Sequence, residues 1–74
     1  MVDDATRVRA IRAILGLSSH DFAAKLGVSS TTLTNWSKGR SIPNAKGRKA
    51  LAKVMNRGKI ILLENGMPVP KGTK

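Results

Sequence analysis

Residues 19–39 read SHDFAAKLGVSSTTLTNWSKG, a stretch in which two short apolar patterns of helical spacing flank a glycine. The predicted inward positions are Phe22, Ala23 and Leu26 before the glycine and Val28, Leu33 and Trp36 after it. Gly27 directly follows the last apolar residue of the first pattern, where a left-handed backbone costs glycine little. The stretch therefore predicts two helices joined by a sharp turn.

Hydroxyl side chains fill the start of the second of these helices. Residues 29–32 are Ser, Ser, Thr and Thr, which form helices less readily than the long charged side chains usual on a helix surface. Ser29 is a good N-cap, because its hydroxyl can accept a hydrogen bond from a free backbone N–H of the first turn. The side chains that the spacing turns away from the core are those of Ser30, Thr31, Thr34 and Asn35.

Further helices are predicted on both sides of this pair. Apolar residues at helical spacing indicate a first helix over residues 4–15, capped by Asp3 or Asp4 and ended by Gly16. Ser18 is the expected N-cap of the next helix, with Asp21 three residues later as a variant of the capping box.

A fourth helix is predicted to start at Pro43 and Asn44 and to run to about residue 55. Its expected inward face consists of Ala45, Leu51, Ala52, Val54 and Met55. Gly47 lies inside this helix and costs about 1 kcal/mol relative to Ala, which indicates either close packing or simple tolerance.

The segment after the fourth helix admits two structures. Residues 59–64 can form a fifth helix capped by Gly66, or the segment can form a β-hairpin that turns at Asn65 and Gly66. We favour the helix. The following residues carry two prolines and two lysines, so we expect one domain over residues 1–66 and a flexible basic C-terminal tail over residues 67–74.

The composition indicates an anionic partner. Lys and Arg number 14 against 4 Asp and Glu, which gives a formal net charge of +10, and no acid occurs between residues 22 and 63. The absence of cysteine excludes a disulfide framework and a thiolate metal site. The longest apolar run, residues 60–63, is far shorter than the roughly 20 residues of a membrane helix, and the start lacks a signal-peptide pattern, so we expect no membrane association.

Enzymatic activity is not expected. The four carboxylates offer no acid–base pair, since three lie near the start of the chain and one near its end, and no glycine-rich loop suited to phosphate is present. His20 is expected to be an exposed surface residue, because a metal site would need further ligands. We therefore expect no cofactor, no metal and no small-molecule ligand.

The pattern over residues 7–66 resembles the lambdoid phage repressor and Cro family, also called the xenobiotic-response-element family. RVRAIRAILGLSSHDFAAKLGVSSTTLTNWSKG (7–39) is similar to the first three helices of such domains, SIPNAKGRKALAKVM (41–55) to the fourth, and ILLENG (61–66) to the fifth. The resemblance implies an all-α fold, a compact four- to five-helix lambda-repressor-like domain with a helix-turn-helix that binds operator DNA as a dimer.

Two features depart from the family pattern. Many members carry a glutamate after the Trp36 position that pairs with an arginine of the first helix, whereas here Ser37 is expected to face Arg12. Ser and Thr also replace the long side chains, often Gln, of the usual reading helix, so an operator sequence cannot be copied from a relative.

The DNA contacts follow from how a reading helix enters the major groove. Short side chains let its N-terminal end approach the bases, and hydroxyl and amide groups can bond to base edges. The predicted base contacts, on a helix over residues 30–38, are Ser30, Thr31, Thr34 and Asn35. The predicted phosphate contacts are Ser18, Ser19, Lys38, Arg40, Lys46 and Arg48. The side chains of Lys53, Arg57 and Lys59 are expected to be merely solvated.

The function expected from these features is sequence-specific regulation of transcription by a small Cro-type repressor of phage or mobile-element origin. Its partners would be double-stranded operator DNA and a second copy of the chain, with residues 59–69 as the candidate dimer surface. The alternative is that the apolar residues of this segment close the core of the monomer. We expect a bacterial cytoplasmic location, on the nucleoid when bound. The alternatives are a protein-interaction module, such as an antitoxin-like or phage regulator partner, and a nonspecific nucleic-acid binder.

Overall fold

The computed structural model describes residues 2–71. Its elements in chain order are α1 (Asp4–Leu15), α2 (Ser19–Leu26), α3 (Ser30–Ser37), α4 (Ala45–Arg57), β1 (Ile60–Leu62) and β2 (Pro68–Pro70). The two strands pair antiparallel, and α1 packs against both α3 and β2. The predicted helical class is confirmed in its coarser form, because four helices form the bulk of the fold and the sheet is small. Within residues 2–71, no helix is long and apolar enough to cross a membrane.

Each of the four helices begins at a side chain that accepts a hydrogen bond from the backbone N–H three residues later. The acceptor and donor pairs are Asp3 with Thr6, Ser18 with Asp21, Ser29 with Thr32, and Asn44 with Gly47. Such caps satisfy a backbone donor that has no partner within the helix. The predicted helix starts are therefore confirmed.

The core lies where α1, α2 and α3 meet and extends onto α4. Its buried apolar residues are Val8, Ile11, Phe22, Ala23, Leu26, Leu33, Trp36, Leu51, Val54 and Ile60. The inward positions predicted for the second and third helices are confirmed, with Val28 packed against the core while partly buried. On α4 the expectation was wrong for Ala45 and Ala52, which are exposed, because the buried face of the helix consists of Gly47, Leu51 and Val54.

Gly47 is a close-packing position, one of the two interpretations that the sequence allows. A Cβ atom built on Gly47 would lie 2.7 Å from Cη2 of Trp36 and 3.2 Å from Cβ of Pro43. The absence of a side chain therefore lets α4 approach the indole ring directly.

The expected fifth helix is wrong, and residues 60–70 form a β-hairpin instead. Lys59 has a positive φ of 56°, which breaks the helical path after α4. The loop is longer than an Asn-Gly turn: Leu63 N–H donates to Met67 O at 2.9 Å, Gly66 N–H donates to Leu63 O at 2.8 Å, and Gly66 has φ 87°. This is a three-residue loop that ends in a left-handed glycine.

Part of the expected tail belongs to this hairpin. The strand β2 pairs with β1 in the register Ile60 with Pro70 and Leu62 with Pro68, and Pro68 is almost completely buried. Residues 72–74 of the expected tail lie outside the described residues.

The guanidinium of Arg7, for which the sequence pattern predicts no role, ties the hairpin to the start of the chain. Arg7 on α1 donates to Gly66 O and to Val2 O, each at 3.2 Å, and pairs with Asp4 at 3.0 Å. The backbone adds a bond from Val2 N–H to Asn65 O at 2.9 Å. The hairpin loop is therefore held against the N-terminal end of α1.

Candidate nucleic-acid interface

The turn between α2 and α3 fixes how the two helices meet. Gly27 has φ 74°, and its N–H donates to Ala24 O at 3.2 Å. Val28 N–H then donates to Ala23 O at 3.0 Å, which closes the end of α2 and directs the chain into α3. This is the sharp turn that the sequence predicts, with a glycine where a left-handed backbone is required.

The hydroxyl run divides into two pairs with different surroundings. Ser29 Oγ accepts from Thr32 N–H at 3.1 Å and donates to Thr32 Oγ1 at 2.9 Å, so these two side chains close the first turn of α3. Ser30 and Thr31 are exposed, and among residues 2–71 neither hydroxyl has a hydrogen-bond partner. Their hydroxyls can therefore bond to an external group at no cost in internal hydrogen bonds.

The other two predicted base contacts lie further along α3. Thr34 and Asn35 are partly buried, and their backbone carbonyls accept from Lys38 N–H at 3.0 Å and Arg40 N–H at 2.9 Å. Their side chains lie one turn beyond Ser30 and Thr31, which favours the two residues of the first turn for the closest approach to DNA. All four assignments stay predictions.

The predicted phosphate contacts lie at element ends around α3. Ser18 and Ser19 are exposed at the start of α2, where Ser18 Oγ accepts from Asp21 N–H at 3.1 Å and keeps its own hydrogen to donate. Lys38 and Arg40 are exposed at the opposite end of α3, about 12 Å from its first turn at 1.5 Å per residue. The exposed Lys46 lies in the first turn of α4.

Arg48 differs from the other predicted phosphate contacts because it has an internal partner. Its guanidinium lies 3.4 Å from a carboxylate oxygen of Asp4, and its side chain is 52% exposed. Asp4 also pairs with Arg7 at 3.0 Å. A DNA phosphate would have to compete with this carboxylate for Arg48, which makes it the least favourable of the six predicted contacts.

Two arginines of α1 position α3 and α2 through backbone carbonyls. Arg9 donates to Ser37 O, the carbonyl of the last residue of α3. A cation is favourable at that negative end of the helix. Arg12 donates to Leu17 O at 2.9 Å, so the expectation that Ser37 faces Arg12 was wrong. Because Ser37 has no carboxylate to offer, the contact from α1 is made to its carbonyl.

The remaining polar groups in this region do not form a metal site. His20 is exposed in the first turn of α2, as predicted. Within the part of the chain that the structure describes, no three His, Asp or Glu side chains are grouped to hold a metal ion.

The residues of the candidate dimer surface differ widely in exposure. Ile60 is buried, whereas Ile61, Leu62 and Leu63 are exposed to 45%, 47% and 48%. Met67 and Val69 are partly buried. The strand β1 therefore presents consecutive apolar side chains to solvent.

These elements form a helix-turn-helix in which the N-terminal turn of the second helix is exposed and its two ends are flanked by cations. The helix-turn-helix family matches residues 8–60, and the chain belongs to this family, which includes the lambda repressor and Cro proteins. Its members are DNA-binding transcription regulators and are generally not enzymes, in agreement with the expectation from the sequence. No curated protein and no solved structure gives a significant match to the chain.

Proposed function

We propose that this regulator is a small Cro-type repressor of phage or mobile-element origin that occludes a promoter. The observation that carries the proposal is the exposed first turn of α3, where the hydroxyls of Ser30 and Thr31 have no partner among residues 2–71. In this proposal these residues, with Thr34 and Asn35, read base edges in the major groove. The protein acts in the bacterial cytoplasm, on the nucleoid when bound.

Most of the affinity comes from the phosphate backbone, because short hydroxyl side chains make few contacts each. Ser18 and Ser19 hold one edge of the groove, and the cations Lys38, Arg40 and Lys46 hold the other. Each neutralised phosphate steepens the salt dependence by about 0.9 in log–log slope, so these three cations give a slope of about −2.7 per subunit. Arg48 adds to this slope only where a phosphate displaces Asp4.

Two subunits associate with each other through the hairpin and bind the operator as a dimer. In an antiparallel ladder, hydrogen-bonded residue pairs alternate with non-hydrogen-bonded pairs. Leu63 and Met67 form a hydrogen-bonded pair, so the backbone N–H and C=O groups of Ile60 and Leu62 point away from β2, to the outer edge of β1. The equivalent positions of β2 are Pro68 and Pro70, which have no N–H to donate. These features support β1, with its exposed apolar side chains, as the edge that meets the second copy.

Selection from a random duplex library at near-physiological salt tests this function. We expect enrichment of an inverted repeat whose half-sites are about 34 Å apart. The variants Ser30→Ala and Thr31→Ala should change the enriched sequence, whereas Arg40→Ala should weaken binding to all sites alike. Ser41→Ala, a hydroxyl deletion in the exposed loop after α3, is the matched control and should leave the enriched sequence unchanged. Equal recovery of all sequences would refute the proposal and favour a nonspecific nucleic-acid binder.

The dimer is tested by sedimentation equilibrium of the wild type and of Leu62→Glu. A charge at this exposed position should shift the equilibrium to monomer and leave the helical content unchanged. Ile42→Glu, which replaces an exposed apolar residue outside the hairpin, is the control for the introduced charge. A monomer at all concentrations in the wild type, with or without DNA, would refute this part of the proposal.

A further inference from the structure

A second cationic surface shares only Lys46 with the predicted DNA contacts. An open groove of about 730 Å³ runs between the C-terminal half of α2, the turn after it, Thr32 and Trp36 of α3, and one side of α4. Its charged lining residues are all basic: Lys25, Lys46, Lys49, Lys53 and Arg57. We call this feature the α2–α4 groove. No acid lines it among the residues that the structure describes, so it is a strongly positive concavity.

Four of the five cations form one stripe along α4. They occur at positions 46, 49, 53 and 57, with the three- and four-residue spacing that aligns side chains on one helix face. The stripe is about 16 Å long at 1.5 Å per residue. All four side chains belong to exposed residues.

This stripe is unfavourable for the isolated helix. Like charges four residues apart repel, as they do for Lys49 with Lys53 and for Lys53 with Arg57. The first turn of α4 contains Lys46 and no acid, although the positive end of a helix favours a negative charge. An anionic partner along the groove would remove both costs.

The floor of the groove distinguishes between classes of anion. Apolar lining residues lie between the cations: Ala24, Leu26, Val28, Trp36, Ala50 and Val54. Val28 and Ala50 are only partly buried, so apolar surface is accessible there. A phosphate backbone would leave this surface in contact with water or charge, whereas an amphipathic helix would cover it with its own apolar face.

The position of the groove separates its far end from the operator contacts, whereas its near end is lined by Ser29 and Thr32 beside the first turn of α3. The predicted phosphate contacts on α2 are Ser18 and Ser19 at its N-terminal end, whereas the groove is formed by residues 24–26 at its C-terminal end. Only Lys46 belongs to both surfaces. Lys53 and Arg57, for which the sequence suggests nothing beyond solvation, lie at the end of the groove that is furthest along α4 from Lys46.

We propose that the α2–α4 groove binds an acidic amphipathic helix of a partner protein. Glutamate and aspartate side chains of that helix pair with the cations of the rim, and its apolar face covers Val28 and Ala50. The proposal does not rest on the operator contacts, since it is carried by a different surface.

The test uses a synthetic 14-residue peptide with leucines on one helical face and glutamates on both flanks. Its control is a scrambled peptide of identical composition, in which the leucines are dispersed. Binding to the ¹⁵N-labelled full chain is followed by NMR titration at near-physiological salt. We expect shifts confined to amides of the groove lining, within residues 24–32, 36 and 44–57, and several-fold weaker binding of the scrambled peptide.

Two pairs of variants test the rim and the floor. Because exposed ion pairs contribute a factor of about 1.5 to 5 each, Lys53→Gln with Arg57→Gln should weaken the peptide about fivefold. Lys59→Gln with Lys71→Gln removes the same charge outside the groove and should change binding less than twofold. Ala24→Glu, which places a charge in the apolar floor, should weaken binding of the peptide. Ala52→Glu, on an exposed part of α4 outside the groove, should not.

Other outcomes would overturn the proposal. Equal binding of the two peptides would show that charge alone acts and that the apolar floor has no part. Loss of affinity for a random 30-base-pair duplex in the Lys53→Gln, Arg57→Gln variant, without an effect on the peptide, would assign the groove to nucleic acid instead. Failure to find an operator would leave these results unaffected, because no DNA is present in the peptide titration.

Discussion

Replacing Gly47 by alanine should destabilise the domain, although alanine is the better helix former. A Cβ at this position would lie 2.7 Å from Cη2 and 2.9 Å from Cζ2 of Trp36, distances that no real Cβ tolerates. The indole is a rigid ring that is only 4% exposed, and Cβ of Pro43 lies 3.2 Å from the new Cβ.

The magnitude follows from two opposing terms. Overpacking a well-filled core costs about 1–3 kcal/mol. Helix propensity returns about 1 kcal/mol when glycine becomes alanine. The net loss is therefore about 1 kcal/mol, which corresponds to a fall in melting temperature of about 4–8 °C for a domain of this size.

Urea unfolding followed by circular dichroism measures this effect, and a second background isolates its cause. Trp36→Phe removes the ring atoms that the new Cβ would meet. In that background Gly47→Ala should destabilise less than in the wild type, because the propensity term is then opposed only by the 3.2 Å contact with Cβ of Pro43. If Gly47→Ala stabilises the wild-type chain by the full propensity term, the reasoning from the indole contact is wrong.

Three further predictions concern the N-terminal end of α1 and the hairpin loop. Arg7→Ala should lower the free energy of unfolding by about 1–2 kcal/mol, because its bonds to two backbone carbonyls and to Asp4 are lost. The control, Arg57→Ala, removes an exposed arginine and should have a smaller effect in the same urea titration. Gly66→Ala should cost a similar amount, since φ is 87° and the new Cβ would lie 3.0 Å from the Arg7 guanidinium; little change in the unfolding midpoint would contradict the strained turn. The hydrogen bonds from Thr6 lower the pKa of Asp3, so the stabilisation it gives α1 is present above pH 3.8 and is lost as pH falls through the lowered pKa. An NMR titration of the Thr6 amide should follow this loss. In Asp3→Asn, whose side chain caps the helix without titrating, the pH-dependent change of the Thr6 amide signal should be absent.

Local signals in the sequence were sufficient for the helices and the turn. Each predicted N-cap is a short acceptor side chain followed by an apolar period, and Gly16 and Gly27 both have the left-handed backbone expected at a helix end. These features depend on residues within one turn of each other, so they can be read without knowledge of the tertiary structure.

The hairpin and the Arg7 contacts could not be predicted in the same way. Residues 59–66 carry both a helix pattern and a hairpin signal, and the burial of Pro68 against the rest of the domain selects the strands. Arg7 and Gly66 are 59 residues apart, so no spacing in the sequence indicates their bond. For the same reason the α2–α4 groove emerges only when α2 and α4 are packed together.

The existence of α3, the proposed reading helix, depends on its neighbours more than on its own sequence. Eight residues rich in Ser and Thr would not form a stable helix in isolation, since isolated helices shorter than about 12–15 residues are marginal even with good helix formers. Leu33 and Trp36 anchor α3 in the core, and Ser29 caps its start. Arg9 holds the carbonyl at its other end. Because none of this support uses the side chains of Ser30 or Thr31, the two positions can change without unfolding the helix. Under the proposed function, the DNA preference of this domain can therefore change independently of its stability.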